Sequence, residues 1–243
     1  MLLAIDIGNT NITFGIFKGK KLIRNFDIPT KAYSLKKLGK LLGKIPLTHS
    51  IICSVVPKTT KIINQDLKKL IGKHPLIVGH NLNVPMKNLY RNPKQLGADR
   101  LVNAYAAAKL YGAPAIIIDF GTAISFDIVS KNNIYLGGII LPGLNTCLEA
   151  LNSKTALLPR IKLDQPKSLI GRSTKEGILS GIVYGFASLT DSLTKTIRTK
   201  IGNKSRIIAT GGDAKLIAKY CKSINLIDRN LTLKGLQELG CFT

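Results

Sequence analysis

Apolar and polar positions along the chain fall into two similar passages. Leu2-Leu3-Ala4-Ile5 leads into Asp6-Ile7-Gly8-Asn9-Thr10, and a second apolar run follows from Asn11 to Phe17. In the second half, Ala115-Ile116-Ile117-Ile118 leads into Asp119-Phe120-Gly121-Thr122, followed by Ala123 to Val129. Each passage predicts strand, glycine turn and strand, with an acid where the first strand ends. A third strand is predicted over residues 21–28. Leu35, Leu38, Leu41 and Leu42 then share one face of a helix over 33–42. Further expectations are a buried strand over 50–56 closed by Pro57, a helix over 60–71, a strand over 75–78 and an alanine-rich helix over 99–111 ended by Gly112. The second half repeats the start with strands at 115–118, 124–129 and 134–140. Helices follow at about 144–151 and 174–200, then a strand at 206–209 and helices at 214–222 and 232–239. No flexible linker marks a boundary, and Ala113-Pro114 is the natural division. The pattern predicts an α/β protein of two β-β-β-α-β-α domains, 1–112 and 113–243, facing each other across a cleft.

The doubled hairpin has a chemical meaning. Glycine lets the backbone turn sharply and brings amide N–H groups close to phosphate oxygens. Threonine hydroxyls add donors, and a carboxylate at the strand end can hold a cation directly or through water. Asp6 and Asp119 each follow four apolar residues, where an ionised carboxylate loses hydration unless it is paired or holds a metal. A nucleotide-binding cleft is the implied function.

Composition narrows the classes. The 243 residues, 45% of them hydrophobic, suffice for one large core or two ordinary ones. No apolar run approaches the roughly 18 residues of a membrane span, and the opening residues lack the basic segment of a signal peptide. A soluble, cytoplasmic protein with no membrane partner is expected. Cys53, Cys147, Cys221 and Cys241 form no CxxC pair, and His49, His74 and His80 form no ligand set, so reduced and mostly buried thiols are expected rather than a zinc site. The formal charge of +23 raises the alternative of a non-catalytic basic regulatory or DNA-binding protein on the same fold. The lysines, however, come in twos and threes on otherwise solvent-facing segments, with no aromatic interleaving and no recognition helix. A lysine-rich solvated surface is the preferred reading, and no nucleic-acid partner is expected.

The ordered motifs Asp6-Ile7-Gly8-Asn9-Thr10-Asn11, Tyr90, Gly97-Ala98-Asp99-Arg100, Asp119-Phe120-Gly121-Thr122-Ala123 and Gly137-Gly138-Ile139-Ile140-Leu141-Pro142-Gly143 resemble those of the type III pantothenate kinases. Thr174, Ser180-Gly181, Tyr184-Gly185 and Thr210-Gly211-Gly212 extend the match across the chain. That family lies within the superfamily of acetate and sugar kinases, heat-shock ATPases and actin. The resemblance implies two RNase H-like, actin-like ATPase halves around a central nucleotide cleft. It also implies phosphorylation of pantothenate by ATP to 4′-phosphopantothenate, the first step of coenzyme A biosynthesis. A homodimer and a monovalent cation, potassium or ammonium, alongside the magnesium of ATP are implied as well.

The same resemblance distributes roles. Asp6, Ile7, Gly8, Asn9, Thr10, Asn11, Ile12 and Thr13 correspond to the phosphate-binding segment, and Thr122 to a further ATP contact. Asp6 is assigned to Mg²⁺ through water, since an ionised carboxylate has no donor for phosphate. Asp99 corresponds to the general base that takes the pantothenate hydroxyl proton. Its place at a loop-to-helix junction is equally that of an N-cap. Gly97, Ala98, Asp99, Arg100, Tyr90 and Thr174 correspond to substrate contacts, and Asp119 to the monovalent-cation position. Arg100 suits a substrate carboxylate or the transferring phosphate, with a surface ion pair as its ordinary role. Gly211-Gly212 resembles the adenosine-side turn. Ser125 stands where a threonine is expected, and Glu176 where a small or apolar residue is expected.

Overall fold

The computed structural model describes residues 1–241, which fold as two compact units. Unit 1 comprises Met1–Lys109 and the last helix of the chain from Asn230 onward, and unit 2 comprises Leu110–Arg229. In unit 1, β1 (Leu2–Ile7), β2 (Asn11–Lys18) and β3 (Lys21–Pro29) form an antiparallel meander. They are followed by α1 (Leu35–Leu42), β4 (His49–Ser54), α2 (Pro57–Ile71), β5 (Leu76–Ile77) and α3 (Ala98–Tyr111). Strands β4 and β5 add in parallel on the other side of β1, giving the order β3-β2-β1-β4-β5.

Unit 2 repeats this plan. The strands β6 (Ala115–Phe120), β7 (Ala123–Val129) and β8 (Tyr135–Pro142) form the meander. Next come α4 (Leu144–Lys154), α5 (Thr174–Ile201), β9 (Arg206–Thr210), α6 (Ala214–Ile217) and β10 (Leu226–Ile227). The order β10-β9-β6-β7-β8 matches the first sheet strand for strand, with β9 and β10 parallel to β6. The two predicted β-β-β-α-β-α repeats are therefore present. Five-stranded mixed sheets arise because each meander pairs antiparallel while the later strands return through helices.

Strand pleating decides which side chains meet which helices. In β1, Leu3, Ile5 and Ile7 are buried with Leu38 of α1 and with Ile63 and Leu67 of α2. Ala4 points the other way, with Ile51 and Cys53 of β4, toward Val102 and Tyr105 of α3. Asp6 shares the Ala4 face by alternation. In unit 2, Ile116, Ile118 and Phe120 pack with Leu144 and Leu148 of α4 and Ile182 and Val183 of α5, which leaves Asp119 on the opposite face.

The last helix, α7 (Leu231–Gly240), departs from the sequence division. Leu233, Leu236 and Leu239 bury against Ala4, Phe17 and Ile51, so the hydrophobic face of α7 completes the first core although it follows the second unit in sequence. Buried Thr232 Oγ1 donates to Asn103 Oδ1 of α3 at 2.8 Å. The boundary accordingly falls at Lys109/Leu110 and again at Arg229/Asn230, where residues 112/113 were expected. Other expectations shift less. The helix expected at 214–222 ends at Ile217, and β10 is too short to register as an apolar run. Of the four free cysteines only Cys53 is fully buried; Cys147 and Cys221 are partly exposed and Cys241 is exposed. The Lys18, Lys20, Lys21, Lys36, Lys37, Lys40, Lys68 and Lys69 clusters are all exposed, as a solvated basic surface requires. Among the described residues, no helix is long and apolar enough to cross a membrane.

At Gly235, α7 lies close against α3. A Cβ there would stand 2.8 Å from Val102 Cγ1 and 2.9 Å from Ala106 Cβ. Gly235→Leu should overpack this contact and cost about 1–3 kcal/mol. Urea unfolding should show the midpoint lowered, and an unchanged midpoint would mean that α7 is not locked onto α3 as described.

Candidate active site

The first turn is held through its carbonyl oxygens. Gly8 N–H donates to the Asn11 carbonyl at 2.9 Å, Thr30 Oγ1 to the Gly8 carbonyl at 2.7 Å, and Thr30 N–H to the Thr10 carbonyl at 2.9 Å. A Cβ on Gly8 would come within 3.1 Å of Asn11 O, so the tight closure favours glycine. Asn9, Thr10 and Asn11 stand exposed at the tip, while Ile7 and Ile12 are buried and Thr13 is half-buried. Thr13 and Cys53 are the cross-strand neighbours of Asp6.

Asp99 comes to the same region of unit 1. Helix α3 begins at Ala98, so Asp99 lies inside its first turn and is not the N-cap. An acid there is favoured by the helix dipole. Asp99 Oδ1 accepts the Arg100 backbone N–H at 2.8 Å. It also lies close over Gly97, where a Cβ would oblige the carboxylate to move. The Cys53 thiol registers both acids. Burial pushes its pKa well above the ordinary value, and the negative charges of Asp6 and Asp99 push it further the same way. Burial also raises the Asp99 carboxyl above its ordinary 3.8, against the opposing influence of the Arg100 N–H and guanidinium.

Other residues of unit 1 complete the picture. Arg100 is 8% exposed, which excludes the surface ion-pair role. Tyr90 is half-buried in the irregular segment before α3, its N–H on Asn88 Oδ1 at 3.3 Å. Ala98 packs on the core beneath.

The second turn is built from oxygen and glycine. Asp119 faces Ser125 on β7 and Thr210 on β9. Gly211, with φ +91°, lies against Asp119 Oδ1 and the Phe120 carbonyl, both of which a Cβ at that position would strike. Gly143 similarly abuts the Gly121 and Thr122 carbonyls. The Thr122 carbonyl accepts Gly143 N–H at 3.0 Å and Thr146 Oγ1 at 2.8 Å, while the residue itself is exposed. Asp213 N–H donates to Phe120 O at 3.1 Å, and Asn145 Nδ2 holds the Asp213 carboxylate at 3.1 Å. Gly212 meets no atom that would obstruct a Cβ, so the pair splits: Gly211 serves the close approach to Asp119, and Gly212 is the open position.

Two positions depart from the expected pattern. Ser125 Oγ donates to fully buried Asp127 at 2.9 Å, and Tyr135 Oη donates to the same carboxylate at 2.8 Å. The hydroxyl is thus used inside the sheet. Glu176 belongs to a capping arrangement, with Ser173 Oγ accepting the Glu176 N–H at 3.3 Å and Glu176 Oε2 accepting the Arg172 N–H at 2.8 Å. Thr174 is the exposed first residue of α5 directly beside that cap. The Ser-x-x-Glu spacing was visible in the sequence. The supporting roles of Thr30, Gly143, Asn145 and Thr146 had no such local signal.

Solved structures with related folds cover nearly the whole chain. A protein assigned to the Baf family of transcriptional activators from Campylobacter jejuni aligns with a TM-score of 0.62 at 21% identity, covering 98% of this chain and 96% of that one. The activator of 2-hydroxyisocaproyl-CoA dehydratase from Clostridium difficile, solved with bound ADPNP, aligns at 0.53 and 12% identity, covering 99% and 93%. The class is therefore that of the actin-like ATPase and sugar-kinase fold. Sequence relatives are more particular. Type III pantothenate kinases from Finegoldia magna and Syntrophus aciditrophicus are 43% and 40% identical, covering 99% and 98% of this chain and 97% of each relative. The sequence model of that family matches residues 2–196, and the chain belongs to the type III pantothenate kinase family.

The raised carboxyl of Asp99 carries a stability consequence. Its folded-state pKa lies above the unfolded value, so its contribution is fully present below the unfolded value and lost as pH rises through the folded one. Ionised Asp99 therefore destabilises the fold at neutral pH. Asp99→Asn should resist urea better than the parent at pH 7, with the gap closing as pH falls toward 4. A less stable variant at pH 7 would contradict the burial account.

Proposed function

We propose that Asp99 receives and orients the hydroxyl proton of pantothenate while the terminal phosphoryl group of ATP passes to that oxygen. Membership in the family gives the reaction itself, an ATP-dependent phosphotransfer on the path to coenzyme A, with ATP accompanied by a divalent metal. The observation that carries the assignment is that Asp6 pairs in register with Cys53, and Cys53 packs in one core with Ala98 and Val102 on either side of Asp99 in α3, so that both acids bear on the same buried thiol.

In this reading the pantothenate hydroxyl oxygen attacks the γ-phosphorus, the bond to the ADP oxygen breaks, and the hydroxyl proton goes to Asp99 Oδ. A loose phosphoryl-transfer transition state asks for little early deprotonation, so orientation is the larger part of the role. The raised pKa of Asp99 makes it a better proton acceptor than an ordinary carboxylate. Buried Arg100 supplies a guanidinium for the substrate carboxylate or the moving phosphate, and Tyr90 and Thr174 line the pantothenate site. Gly8 through Thr13 are assigned to the ATP phosphates, and Thr122 to a further ATP contact.

The residues fit the proposed ions. Mg²⁺ is commonly held by one or two carboxylates and substrate phosphates, which matches Asp6 acting through water. No group of three or more His, Cys, Asp or Glu side chains suited to a metal occurs among the described residues. For potassium or ammonium, the Asp119 carboxylate and the Phe120 carbonyl stand together beside Gly211 and offer oxygen donors. A cation there would neutralise charge beside the phosphates. Exposed Leu136 and Ile140 on edge strand β8, with Leu157, Leu169 and Ile170, give unit 2 an apolar surface for the expected homodimer. A cytoplasmic location fits an enzyme that draws on cellular ATP.

Purified protein should form ADP and phosphopantothenate, faster in K⁺ or NH₄⁺ than in Na⁺. Asp99→Asn should lower kcat by about 10²–10⁴-fold, the range for a positioned proton acceptor. Binding of a nonhydrolysable ATP analogue should remain near the parental value. A variant that keeps turnover within a few-fold would remove Asp99 from the chemistry.

A further inference from the structure

At the end of β9 opposite the Thr210-Gly211-Gly212 turn lies a cavity of about 480 Å³. It is lined by Tyr111, Arg198, Asn203–Arg206, Asn225 and Leu226, all in unit 2. Arg206 pairs with Ala115 at the start of β6, whereas Thr210 pairs with Asp119 at its far end. Four residue steps along β9, from Arg206 to Thr210, separate the cavity from the Asp119 turn, about 13 Å at the rise of a strand.

Three cationic side chains and no carboxylate line this cavity. Arg198 comes from the last turn of α5, and Lys204 and Arg206 are exposed at its mouth. The guanidinium of Arg198 is set by two bonds from Nη2, to Ser205 O at 2.8 Å and to Asn225 Oδ1 at 3.3 Å. Asn225 Oδ1 also accepts the Ile207 N–H at 2.9 Å, so the arginine is braced against the strand. Arg198 Nε and Ser205 Oγ are both buried and have no hydrogen-bond partner among the described residues. Ser205 as a whole is 1% exposed. A buried donor left unsatisfied loses hydration without compensation, and natural structures normally supply a partner. Asp228, outside the lining, accepts the hydroxyl of the lining Tyr111 at 2.6 Å. The carbonyl end of α5 adds only about half a negative charge, against three cations.

We propose that this cavity binds a small tetrahedral oxyanion of the phosphate class, inorganic phosphate or a phosphate monoester. Arg206 and Lys204 meet the anion at the mouth. The Ser205 hydroxyl rotates to reach an oxygen, and the braced Arg198 guanidinium adds its charge from the wall. Arginine suits this group because its planar fork matches two phosphate oxygens at once. The site is independent of the nucleotide turns and of the reaction assigned above.

The test holds those turns occupied. Protein saturated with a magnesium-bound nonhydrolysable ATP analogue and pantothenate is titrated with inorganic phosphate at constant ionic strength, following thermal stability and calorimetric heat. A parallel arm uses glycerol phosphate as the monoester, and a third uses chloride. Phosphate or the monoester should raise the melting temperature with saturation, and chloride should not. Lys204→Gln/Arg206→Gln removes two charges without touching the bonds that brace Asn225 and Ser205, and it should bind phosphate at least about tenfold more weakly. Ser205→Ala should weaken binding while leaving the stability of the anion-free protein unchanged or higher, because its hydroxyl has no partner to lose. Equal stabilisation of parent and Lys204→Gln/Arg206→Gln, or the same response to chloride, would overturn the proposal. The relative strength of the phosphate and monoester arms identifies which source the site prefers.

Discussion

A carboxylate at the carboxyl end of each central strand is the constraint around which both units are arranged. Asp6 and Asp119 are the penultimate residues of β1 and β6, and each strand is flanked by an antiparallel partner on one side and a parallel one on the other. Such a strand is covered on both edges, so an acid near its end is partly shielded from water while the turn beyond it is open. The two acids keep partial exposure for this reason. Backbone close to each acid is held by short bonds: Thr30 ties the first turn, and Gly143, Thr146 and Asp213 tie the second. The result is a fixed polar turn beside a charge, an arrangement able to receive phosphate and its cation without large reorganisation.

Pleating then explains why Asp99 belongs with Asp6. The alternation that buries Leu3, Ile5 and Ile7 against α1 and α2 turns Ala4 and Asp6 toward the side of α3. Helix α3 begins one residue before Asp99, and Gly97 lets that side chain fold back on the backbone. Burial that raises its pKa is the same burial that stabilises the core around Val102 and Tyr105. Fold and chemistry here share one cause, the docking of α3 over β1 and β4.

Much of this was legible in the sequence because local patterns coincide with the structure. The doubled apolar-acid-glycine passages gave both meanders, and leucine spacing gave α1. The long helix from Thr174 emerged from periodicity with an error of one residue at its end. What stayed hidden depends on contacts distant in sequence. Nothing in the pattern of α7 says which sheet its leucines cover, and only packing against Ala4 and Phe17 assigns it to unit 1. The close approach of Gly143 to the Gly121 and Thr122 carbonyls likewise depends on residues some twenty positions away in sequence. Asp99 as an N-cap was a fair local alternative, and the helix start at Ala98 decides against it. Likewise Glu176 stands where a small or apolar residue is expected, and its spacing from Ser173 expresses a cap at the start of α5.

The central claim is that the carboxylates of Asp6 and Asp99 stand at one phosphate site. Paramagnetic broadening reads this directly, using protein labelled with ¹³C at aspartate carboxyl carbons and Mn²⁺ bound with a nonhydrolysable ATP analogue. Asp6 and Asp99 should broaden strongly, while Asp66, which accepts the Tyr33 hydroxyl between α1 and α2, stays sharp. Broadening of Asp66 with Asp99 left sharp would contradict the account.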